Sequence, residues 1–125
     1  MPWKITLHAE RPQNRKAGDM WPGTHILKHL DVFGDKLSPR YLAMPEPRRL
    51  PYVVCLPGGV DFCVDFRAWR DGVSYGDGWT LTGPLERLTL SPSVNIGGAY
   101  HGWIRDGVIS DDVEGRRFDA DGREL

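Results

Sequence analysis

No apolar run in this 125-residue chain approaches the roughly 18 residues of a membrane-spanning helix, and no signal-peptide pattern opens it. Those gaps argue against a helical membrane protein and against export, so the cytoplasm of the cell that makes it is the expected location. Cysteine is scarce. Two cysteines without an export signal are read as reduced thiols, not as a disulfide framework. Net charge is nearly absent as well: 16 basic and 17 acidic side chains leave −1, which creates no global field toward nucleic acid or a membrane surface. The short basic clusters Arg11, Arg15, Lys16 and Arg48, Arg49 read as solvated loop residues, so no nucleic-acid partner is expected. Complete catalytic signatures are missing too. There is no HExxH, no Walker-type loop, and no Ser or Cys in a recognisable nucleophile motif.

What is abundant is punctuation. Fifteen glycines and ten prolines break helices and favour short strands joined by tight loops. The length fits one domain, which buries perhaps ~65–70% of its unfolded surface and needs neither disulfide nor metal to fold. Five tryptophans and four tyrosines suffice to fill a small core or line a pocket. The expected fold is mainly β, a compact antiparallel meander of hairpins with one or two short helices near residues 24–44. Three regions make up the single domain over 1–125: an N-terminal strand, loop and helices (1–50), a β-rich half (51–115) and a charged, frayed tail (116–125).

Alternation of apolar Trp3, Ile5 and Leu7 with Lys4, Thr6 and His8 predicts an opening strand with the apolar set inward. Glu10 to Pro22 reads as an exposed loop. Thr24 is placed to cap a short helix over His25 to Val32, and Ser38-Pro39 to start a turn or two through Leu42. Tyr52 to Leu56 and Asp61 to Phe66 predict a hairpin about Pro57-Gly58-Gly59-Val60, with Phe62, Val64 and Phe66 inward. Arg67 to Gly78 reads as a loop. Trp79 to Thr82 and Leu88 to Ser91 flank Gly83-Pro84 as two further strands. Tyr100 to Ile104 and Val108-Ile109, about the turn Arg105-Asp106-Gly107, complete the meander.

Cys55 and Cys63 lie on the two arms of the first hairpin. A three-residue turn centred on Gly59 makes them face each other, whereas a two-residue turn puts Cys55 opposite Phe62. Facing thiols supply two of the four ligands of a zinc site; a pair of small buried apolar side chains is the plainer use and is favoured. His101, between Tyr100 and Gly102-Trp103, suits a third ligand or a general base, because an unperturbed imidazole titrates near neutrality. The commoner role is a half-buried histidine bonded to backbone. His25 and His29 share a helix face but read as surface residues. The run Asp111-Asp112-Val113-Glu114 offers hard oxygen ligands but lacks the spacing of a calcium loop, so a solvated face is expected.

The segments Gly78-Trp79-Thr80-Leu81-Thr82, Leu90-Ser91-Pro92-Ser93 and Tyr100 to Gly107 carry a resemblance. With Trp3 to His8, Leu37 to Leu42 and Ser110 to Arg116, the chain resembles a family of small proteins of unknown function encoded by phages and prophages. That family often bears the label "ammonia monooxygenase", which no residue here supports. Over about 52–109 it is distantly similar to a bacterial domain of unknown function with a cysteine-rich, zinc-binding first half. That likeness implies Cys55, Cys63 and His101 as metal ligands. Gly98 stands where a further cysteine would be expected, so matched positions do not complete a four-ligand zinc shell.

The resemblance, the missing catalytic motifs and the surplus of aromatics imply a phage accessory protein that binds a host protein or small-molecule ligand, for instance in countering a defence. Trp79, Tyr100, Trp103, Asp111, Asp112 and Glu114 are its candidate binding residues, and a homo-oligomer is compatible with this reading. A small metal-dependent hydrolase centred on His101 is the first alternative. A virion or assembly component is the second.

Overall fold

The computed structural model describes residues 2–23, 52–64, 68–70, 73–75, 80–91 and 93–125. These residues are mainly β, forming thirteen short strands and one 3-10 turn, Leu85–Arg87, and no α-helix occurs among them. The expected helices near 24–44, with His25 and His29, lie outside the described residues, as does Trp79.

The opening strand is split between two sheets. Its first half, β1 (Trp3–Lys4), pairs antiparallel with Val108–Ile109 near the other end of the chain, with Trp3 opposite Ile109. The second half, β2 (Thr6–Leu7), runs parallel to β3 (Asp19–Pro22), with Thr6 opposite Asp19. Ile5 sits at the crossing. It is 3% exposed, and its N–H donates to the Gly107 carbonyl at 2.8 Å. Gly18 makes the crossing possible: its φ is +95°, and a side chain there would collide with the Lys4 carbonyl oxygen. The predicted inward set therefore holds for Trp3 and Ile5 but fails at Leu7, which is 42% exposed. Period-2 alternation assumes one continuous strand, and the change of sheet at Ile5 breaks it.

The exposed loop expected over Glu10 to Pro22 needs the same kind of correction. Its last residues form β3, where Met20 and Trp21 are among the most buried side chains of the protein. β3 pairs antiparallel with β4 (Tyr52–Leu56), and β4 with β5 (Val60–Cys63). The β4–β5 loop is Pro57-Gly58-Gly59, so Leu56 faces Val60, Cys55 faces Asp61 and Val53 faces Cys63. That register is neither of the two expected, because the three-residue loop centres on Gly58. Cys55 and Cys63 share a sheet face as diagonal neighbours without facing each other.

This sheet buries both faces. Met20, Val54, Leu56 and Phe62 enter the main core with Trp3, Ile5, Leu88, Leu90, Tyr100, Ile104 and Ile109. On the other face Trp21, Val53 and Cys55 form a small second cluster, with Cys63 packed against it. Two hairpins follow. β6 (Ala68–Arg70) pairs with β7 (Val73–Tyr75), inside the stretch expected to be a loop, and β8 (Thr80–Thr82) pairs with β9 (Thr89–Ser91), as expected about Gly83-Pro84. β10 (Val94–Ile96) and β11 (Tyr100–Gly102) form the next hairpin, and β12 (Ile104–Arg105) and β13 (Val108–Ile109) the last.

The charged tail is not frayed. Phe118 is 8% exposed and meets Trp3 edge to face at 6.0 Å between ring centroids. The Trp3 indole donates to the Asp119 carbonyl at 3.2 Å. Main-chain N–H groups of Ala17 and Gly58 donate to the carbonyls of Asp121 and Gly122, at 2.9 and 2.8 Å. The charges of this segment conceal one buried aromatic and a set of backbone acceptors, which composition does not reveal.

Candidate functional site

The β10–β11 hairpin turns through Gly97-Gly98-Ala99, with Gly98 at φ +79° and the Ala99 N–H donating to Ile96 at 2.9 Å. Its register sets Asn95 opposite His101. Ser93 stands two residues before Asn95, hence on the same sheet face and diagonal to His101. Tyr100 and Gly102 point into the core, so His101 between them points outward. Its side chain retains 26% of its exposure. The ring Nε2 lies 3.2 Å from Ser93 Oγ. On the other side, Nδ1 lies 3.5 Å from Glu114 Oε2. The Trp103 ring is tilted 30° to the imidazole, with 6.3 Å between centroids.

Glu114 reaches the ring because the segment after β13 runs back along β11. The Val113 N–H donates to the His101 carbonyl at 2.8 Å, and the His101 N–H donates to Asp112 Oδ1 at 3.0 Å. Asp112 is the knot of this return. Its carboxylate also accepts from the N–H of Arg116 at 2.8 Å and of Glu114 at 3.4 Å, and from the Arg116 guanidinium at 3.3 Å. Burial by itself would raise the Asp112 pKa. The N–H groups of Arg116, His101 and Glu114, together with the Arg116 charge, outweigh it and hold the carboxyl below its ordinary value. Arg116 also touches Glu114 Oε2 at 3.4 Å, so one guanidinium spans both acids.

The sequence-derived candidates thus separate. His101, Glu114 and Trp103 meet on one outward face. Tyr100 is fully buried, and its hydroxyl donates to the Ser110 carbonyl at 2.7 Å; burial is the main reason its pKa is raised. Asp112 is turned inward to main-chain donors, whereas Asp111 is exposed. Cys55 and Cys63 lie on the β4–β5 sheet beside Trp21, and burial, the largest influence, pushes the Cys55 thiol up to about 11. The Cys55 thiol donates to the Leu56 carbonyl at 3.6 Å. Among the described residues no group of three His, Cys, Asp or Glu side chains is arranged to hold a metal ion. Among the described residues Cys55, Cys63 and His101 are not gathered into one shell. The residues described here do not fit the implied zinc.

Ser93 is the member that sequence reasoning missed. Its signal was the Gly97-Gly98 pair, since a hairpin turn there pairs the residues before it with those around His101. Beside the histidine, Pro2, Trp103, Arg105, Val108, Ser110, Asp111 and Val113 line a shallow depression of about 420 Å³. The Arg105 guanidinium lies over the Trp103 ring, 4.9 Å from its centroid. Among the described residues no helix is long and apolar enough to cross a membrane. No protein-family model, no curated protein and no solved structure matches this chain.

Proposed function

We propose that this chain is an accessory protein that works by binding another protein, through the depression that Trp103 helps to line. One observation carries the reading. Val108 and Val113 are 38% and 48% exposed, and both line the same depression as the half-exposed Trp103. Exposed branched side chains grouped about a tryptophan, with an arginine stacked on it and Asp111 at the edge, have the make-up of a recognition surface. The family resemblance makes a host protein the expected partner.

The test uses Val113→Asp, because an exposed side chain can take a charge without disturbing the core. Leu7→Asp, at another exposed apolar position, serves as control. Immobilised protein is challenged with host-cell extract, and any captured species is then titrated as a purified component. Binding weakened at least ~10-fold by Val113→Asp, and unchanged by Leu7→Asp, is the expected result. Equal affinity for all three proteins would overturn the assignment of this surface.

A further inference from the structure

Beyond binding, we propose that Ser93 is a nucleophile, with His101 as its general base and Glu114 as the residue that positions the base. The three groups stand in sequence: hydroxyl, imidazole, carboxylate. Ser93 Oγ is 3.2 Å from Nε2, and Glu114 Oε2 is 3.5 Å from Nδ1 on the opposite side of the ring. A carboxylate at Nδ1 favours the tautomer with its proton there, which leaves the Nε2 lone pair directed at the serine hydroxyl. Hydroxyl and base within hydrogen-bond reach, with a third group orienting the base, is the geometry that activates a serine; such contacts are often looser before substrate is bound. The His101 backbone is fixed, since both of its main-chain polar groups are engaged, by Asp112 and Val113.

The reaction class that fits is acyl transfer from a carboxylic ester. Ser93 Oγ attacks the carbonyl carbon while its proton passes to His101 Nε2. The tetrahedral adduct collapses, the bond to the alcohol oxygen breaks, and that oxygen takes the proton from Nε2. Water then attacks the acyl-serine with its proton going to Nε2, the bond to Ser93 Oγ breaks, and Oγ recovers the proton as the carboxylic acid leaves. Trp103, whose ring is tilted beside the imidazole and which also lines the depression with Val108 and Val113, offers an apolar surface for a small acyl group.

Two probes test this. An alkyl fluorophosphonate should phosphonylate Ser93 with loss of fluoride, located by peptide mass spectrometry. Turnover of p-nitrophenyl butyrate should fall at least ~100-fold in Ser93→Ala and in His101→Gln, both checked for an unchanged thermal transition. Glu114→Gln should lower kcat about 10-fold with KM unchanged, and Glu114→Asp should restore part of it. Label absent from Ser93 in folded protein, label on another residue, or turnover undiminished in Ser93→Ala would each overturn the nucleophile. A Glu114→Gln effect confined to KM would overturn the positioning role. Ser93→Ala leaves Val113 and its depression intact, so the binding reading and this one fail separately.

Discussion

Asp112 shows how much one side chain settles. Its sequence context, an acidic run near the end of the chain, suggests a solvated face or a ligand for a hard cation. Two of the N–H donors it meets, those of Glu114 and Arg116, are near in sequence, but the third, from His101, comes across a chain reversal that the acidic run does not signal. Asp112→Ala should therefore cost about 2 kcal/mol, since it leaves three part-buried N–H groups without their acceptor. Urea unfolding would measure it. Acid should act in the same direction. The folded-state pKa lies below the ordinary 3.8, so the contribution is complete above that value, and it is lost as pH falls through the depressed folded value. Stability curves for wild type and Asp112→Ala should converge at the acid end.

At the level of elements, the hairpins were the legible part. Gly83-Pro84 marks β8–β9 where the sequence places it, and Asp106-Gly107 marks the last turn, although the expected strand Tyr100 to Ile104 divides at Trp103 between β11 and β12. The missed elements have physical reasons. β3 hides in a polar stretch because its partners, β2 and β4, come from distant segments and not from a neighbouring turn. Within β11, Gly102 is fixed by packing: a Cβ there would strike the Tyr100 hydroxyl and Ser110 Oγ. Gly102→Ala should cost about 2 kcal/mol by overpacking. Tyr100→Phe removes one of the colliding atoms, so the double variant should lose less than the sum of the single losses. A strictly additive double-mutant cycle in urea would show that the two side chains do not meet.

Across the whole molecule, the segment expected to fray is part of what closes the fold. Phe118→Ala should cost about 3 kcal/mol in thermal or urea unfolding, while the exposed Arg123→Ala and Glu124→Ala should change little. A silent Phe118→Ala would return the segment to the status of a loose tail. The candidate site divides in the same way. His101, Trp103 and Glu114 could be named from the chain, because each stands out in its own neighbourhood. Ser93 became visible only through strand register, and the separation of the cysteines from His101 only through the three-dimensional arrangement.

The pairing of β1 with β13 also governs when the protein can exist. Trp3 meets Ile109 across that ladder, and its indole reaches Asp119, 116 positions along the chain. On the ribosome the first strand emerges long before its partner is synthesised, so Trp3 and Ile5 must wait in a nascent chain with nothing to cover them. Such long-range closure slows folding and leaves apolar surface open to other chains meanwhile. Emergence of Val108 to Asp119 from the exit tunnel, and not the appearance of the early β-segments, should set the moment at which the core is completed.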